Sequence, residues 1–154
     1  MFVFEEPASC LFSLLAFISL CYGVGSWLRQ GKSNPKAWSR YPYRLVFAIS
    51  AVISAGSFLS SFFFHKHETW YNERSDYFFA NAFVVFHLVA TIVRVFSIHS
   101  KWLQGLILAS GTGVWVRFMW WMLNVRFSYS WAVKLAGSLA VPVVLLWIIW
   151  GILP

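Results

Sequence analysis

Five uninterrupted apolar stretches run through this chain, at residues 8–28, 45–64, 77–96, 102–123 and 131–153. A helix of about 20 such residues crosses the hydrocarbon layer of a bilayer. Charged residues make up only 11% of the 154 and hydrophobic ones 60%, a balance too apolar for a soluble domain of this size. Unpaired backbone groups are costly in lipid, and none of the five stretches alternates with the period of two that a barrel strand needs. The expected fold is therefore all-α: a polytopic bundle of about five transmembrane helices, forming one domain over residues 1–154.

The formal charge of +7 has to be located before it is interpreted. Arg29, Lys32, Lys36, Arg40 and Arg44 fall in the first connection with no acid among them. Short basic connections stay in the cytoplasm, so the first helix is expected to run from the lumenal or exoplasmic side inward. Arg94 and Lys101 then lie on the cytoplasmic side, and Lys66, Arg74, Arg126 and Lys134 on the other. The basic connection reads as a topology determinant, and no nucleic-acid partner is expected. Gly31, Ser33, Asn34, Pro35 and Pro42 mark it as a flexible connector. The two cysteines, Cys10 and Cys21, lie eleven residues apart on one helix, about 16 Å, and cannot bridge each other. The opening residues lack the basic n-region and small-residue cleavage site of a removable signal peptide, and the first helix is expected to serve as the insertion signal. Tryptophans and tyrosines at the helix ends, such as Trp38, Trp70, Tyr71 and Trp102, form the usual interfacial belt.

Polar residues inside a membrane are expensive and by default face the bundle interior. Ser50, Ser54, Ser57, Ser61 and His65 recur at steps of four, three, four and four, which places them on one face of the second long helix. For Ser50, Ser54 and Ser57 close helix packing is a sufficient explanation. Asp76, His87, Thr91 and Arg94 share a face of the third helix, with Asp76 about ten residues of connector (66–75) beyond His65. That short link brings His65 and Asp76 to the same depth. The pair reads equally as a structural hydrogen bond or as a catalytic or metal-binding couple, because a carboxylate beside an imidazole orients it as a ligand. One imidazole falls short of the three protein ligands of a catalytic zinc site. His67 reads as a solvated loop residue, His87 as a helix-to-helix hydrogen bond, and Arg117 as snorkelling to an interface or pairing with a carboxylate such as Asp76.

Three runs of residues are more specific than these physical arguments. The opening Glu6-Pro7-Ala8-Ser9-Cys10-Leu11-Phe12-Ser13, the stretch from Ser61 through Phe64-His65 and Glu73-Arg74 into Asp76-Tyr77, and the aromatic turn Arg126-Phe127-Ser128-Tyr129-Ser130 occur in the order found in the GPI-anchor remodelling proteins. The chain resembles that family, the post-GPI-attachment-to-proteins factor three or PER-like family, over nearly its whole length. The resemblance implies a seven-helix membrane hydrolase fold shared with alkaline ceramidases, with zinc as cofactor held by one histidine of the second helix and two of the last. It implies phospholipase A2-like removal of an acyl chain from the lipid of GPI-anchored proteins, in the endoplasmic reticulum or Golgi. Carried over, His65 becomes a metal ligand, Asp76 the residue that positions or deprotonates water, and Ser61 a stabiliser of the oxyanion. The family's final His-x-x-x-His has no counterpart in residues 131–154. The chain is accordingly expected to correspond to the family fold without its lumenal N-terminal region and last two helices. A non-catalytic accessory protein of the family, and a transporter or receptor-like bundle, are the alternative functions.

Overall fold

The computed structural model describes residues 6–152. Its elements are α1 (Pro7–Ser33), α2 (Pro35–Arg40), α3 (Arg44–Lys66), α4 (Trp70–Val95), α5 (Lys101–Asn124) and α6 (Tyr129–Ile152). There is no strand among the described residues, and five of the helices are long and apolar enough to cross a membrane. The all-α reading is therefore the observed one. Leu153, the expected end of the last helix, lies outside the described residues.

Local chemistry sets the boundaries, and it departs from the hydropathy reading in two places. The first connection is not a flexible loop. Pro35 starts α2 at a position where a missing N–H costs nothing, and the Asn34 side chain accepts from the Ala37 N–H at 3.2 Å. Trp38 folds back over Gly31, where an added Cβ would lie 2.5 Å from the indole. The second departure is the start of α4, at Trp70 and not at Tyr77. Thr69 accepts from the Asn72 N–H at 3.2 Å, a side-chain N-cap, so the helix begins in the polar zone before its apolar stretch. Hydropathy locates the hydrocarbon edge, whereas the hydrogen-bond ladder continues past it.

α4 is the centre of the bundle. It packs against α3, α5 and α6, while α1 lies on the outer side of α3. Ala82, Val85, Phe86, Val89, Ala90 and Val93 of α4 are buried. Gly111 of α5 permits close approach, since a Cβ there would come within 2.6 Å of the Val89 side chain, in keeping with the use of small residues at membrane helix contacts. Ser50 donates to the Phe86 carbonyl at 3.2 Å and stitches α3 to α4. Trp147 donates to the Thr91 hydroxyl at 3.1 Å and does the same for α6. α6 continues through Pro142.

Candidate functional site

The site is built where the beginning of α1 meets the end of α3. Three antiparallel contacts align them: Glu6 N–H to the His65 carbonyl at 3.1 Å, Cys10 Sγ to the Phe62 carbonyl at 3.7 Å, and Ser13 Oγ to Ser61 Oγ at 3.1 Å. The turn from α3 to α4 is only residues 67–69. The Asn72 side-chain amide closes it by donating to the carbonyls of Phe63 at 3.3 Å and His67 at 2.9 Å. Asp76, on the second turn of α4, is thereby carried to within hydrogen-bonding reach of Ser61 and electrostatic reach of His65.

Ser13, Ser61 and Asp76 line a cleft of about 430 Å3, whose other walls include Phe12, Phe58, Phe83 and Ala136. The cleft therefore has an apolar body with three hydroxyls, those of Ser13, Ser57 and Ser61, and one carboxylate along it. Such a surface can receive a chain of apolar character and present a proton acceptor and hydroxyl donors to a polar linkage. His65 stands beside this cleft. Its Nδ1 is 2.6 Å from Glu6 Oε2, with half of the glutamate side chain exposed. The contact is an ion pair when the imidazole is protonated.

The remaining sequence candidates are dispersed. His87 Nδ1 is 3.0 Å from the carbonyl of Phe83 in its own helix, so its bond is within α4 and not between helices. His99 meets the Tyr43 hydroxyl at 3.2 Å at the opposite end of the bundle. Arg117 is exposed and stacks 5.1 Å from the Trp120 ring, and no ion pair joins it to Asp76. Arg74 is held between Trp70 at 3.9 Å and Phe127 at 4.7 Å. Ser50, Ser54 and Ser57 are buried in helix packing. Among the described residues no three His, Cys, Asp or Glu side chains converge as a metal site. A three-ligand zinc site therefore does not fit the donor set described, in which His65 is the one imidazole near Asp76.

Two members of the cluster, Glu6 and Ser13, escape a reading based on helix faces. Glu6 is the N-cap residue of α1 and Ser13 lies on its second turn, and only packing of α1 on α3 brings them to His65 and Ser61.

Comparison with known proteins bears on the same residues. A relative from Drosophila melanogaster, post-GPI attachment to proteins factor 3, is 23% identical over 146 residues, covering 95% of this chain and 43% of that protein. The Danio rerio protein described as GPI-specific phospholipase A2-like PGAP3 is 24% identical over 147 residues, covering 96% of this chain and 45% of its own length. The chain thus spans less than half the length of these curated relatives. No solved structure matches it. The Per1-like family model matches residues 1–153, essentially the entire sequence including the Ser61, His65 and Asp76 positions, and the chain belongs to the Per1-like family.

Proposed function

We propose that this chain acts in GPI-anchor lipid remodelling and that the Ser61–Asp76 cleft is where it meets the acyl chain and ester of the GPI lipid. The observation that carries this reading is the placement of the Asp76 carboxylate and the hydrogen-bonded Ser13 and Ser61 hydroxyls along an apolar cleft at the end of the bundle. Phospholipase A2-like release of a fatty acid is the reaction that suits the arrangement. In it Asp76 holds a water by accepting its hydrogen bond, Ser61 donates its hydroxyl to the ester oxygen while accepting from Ser13, and the phenylalanines hold the acyl chain. Zinc is the cofactor the family resemblance implies, with His65 as its ligand in this chain. The described donors do not make up a three-ligand set, and no step is assigned to a metal. The secretory pathway, endoplasmic reticulum or Golgi, is the proposed location, with the cleft facing the lumen.

A second reading is favoured by that same incomplete donor set: the chain holds the GPI lipid in this cleft without hydrolysing it. The two are separated by the fatty-acid composition of GPI lipids in cells with and without the chain. Loss of an unsaturated acyl chain with the wild type, absent with His65→Ala and Asp76→Asn, supports hydrolysis. Unchanged composition together with crosslinking of a photoactivatable GPI lipid to the cleft supports the accessory role. Neither change nor crosslinking rejects both.

A further inference from the structure

Seven of the twelve cations gather at the end of the bundle away from the Ser61–Asp76 site. Arg29 and Lys32 end α1, Lys36 and Arg40 lie on α2, Arg44 opens α3, Arg94 ends α4 and Lys101 opens α5. The four described acids, Glu6, Glu68, Glu73 and Asp76, all lie at the opposite end. Seven positive charges thus share one rim with no carboxylate among the described residues to offset them. Arg94 is engaged by the rings of Tyr43 and Trp150, each at 5.5 Å. Arg44 and Lys101 are exposed and line one cleft of about 500 Å3 bounded by α1, α2, α3 and α5. Both also occupy the first turn of a helix, where the dipole adds to their field.

We propose that this cleft seats the phosphate-bearing headgroup of an anionic phospholipid. Trp38 and Ser39 flank the basic mouth, and Leu45, Gly105 and Leu108 continue the wall toward the hydrophobic zone. A phospholipid matches both halves of that surface, because its phosphate meets Arg44 and Lys101 while its acyl chain covers the leucines. A free anion would leave the apolar wall unused. Gly105 keeps the cleft open: a Cβ there meets no protein atom within 4 Å. This rim is also the one that the basic connection assigns to the cytoplasm, the leaflet in which anionic lipids concentrate. Seventeen residues of α3 separate Arg44 from Ser61, about 26 Å of helix, so the seat is distinct from the GPI-lipid cleft and its failure leaves that proposal untouched.

The test is lipid retention by the full chain, released from nanodiscs of phosphatidylcholine with a minority of phosphatidylserine and weighed by native mass spectrometry. The wild type is expected to keep phosphatidylserine with a roughly thirtyfold preference, the size expected of two cations near the surface. Arg44→Gln with Lys101→Gln should abolish the preference. Arg29→Gln with Lys32→Gln removes the same charge from the same rim, outside the cleft, and should leave most of it. Gly105→Leu keeps every charge but fills the cleft, and retention should fall. Absence of preference in the wild type, equal losses in the two charge pairs, or full retention in a folded Gly105→Leu would each overturn the proposal.

Discussion

Ser61 is the hinge of the candidate site because its hydroxyl is shared between two helices. It receives the Ser13 hydrogen bond from α1 and lies within reach of the Asp76 carboxylate of α4. Interhelical hydrogen bonds of this kind average about 0.6 kcal/mol inside membranes. Ser13→Ala and Ser61→Ala should accordingly each lower stability modestly and show a coupling of about that size in a double-mutant cycle, read from thermal unfolding in detergent. Purely additive effects would mean that the bond carries no energy. The Glu6–His65 contact is part-exposed, and such pairs contribute about 0–1 kcal/mol. Glu6→Gln is expected to change the unfolding midpoint little. Ser61, His65 and Asp76 were legible as a group because one helix face and one short connection place them together. Glu6 and Ser13 were not, since the start of α1 acquires meaning only from the helix it covers.

The helices begin and end for reasons that lie partly outside the hydrocarbon. Thr69 caps α4 eight residues before the boundary expected at Tyr77, and loss of an N-cap costs about 1 kcal/mol. Thr69→Ala should speed amide hydrogen exchange at residues 70–73 and leave the middle of α4 unchanged. Close approach is the other element-scale determinant. Gly111→Val would drive a branched side chain against the buried Val89, already within 2.6 Å of a bare Cβ. Overpacking of this kind typically costs about 1–3 kcal/mol, and the thermal midpoint should fall clearly. Gly137→Val on α6, where a Cβ meets nothing within 4 Å, is the matched control and should be tolerated.

At the scale of the whole molecule, charge runs along the bundle axis, from the rim at Arg44 and Lys101 to the end holding Glu6, Glu73 and Asp76. Cysteines introduced at Asn34 and Asn72, in a background with Cys10 and Cys21 replaced, report the orientation. Asn34→Cys should label from the cytosol and Asn72→Cys from the lumen, and the opposite pattern would invert the bundle. Metal analysis of the purified chain should find little zinc, because affinity requires several deprotonated ligands in place together, and stoichiometric zinc lost on His65→Ala would point to ligands beyond the described set. The sequence by itself determined the number of long helices, since twenty apolar residues in a row have one stable state in lipid, and the asymmetry of charge between the two ends of the bundle. It also placed Ser61, His65 and Asp76 on facing helix ends. Tertiary structure alone decided that α4 is the centre, that α1 supplies Glu6 and Ser13 to the site, that the basic connection folds into α2, and that Arg44 and Lys101 share a cleft. Periodicity specifies a face within one helix, but hydropathy is nearly the same all round these helices, so which neighbour each face meets is settled by small residues, hydrogen bonds and shape between helices far apart in the chain.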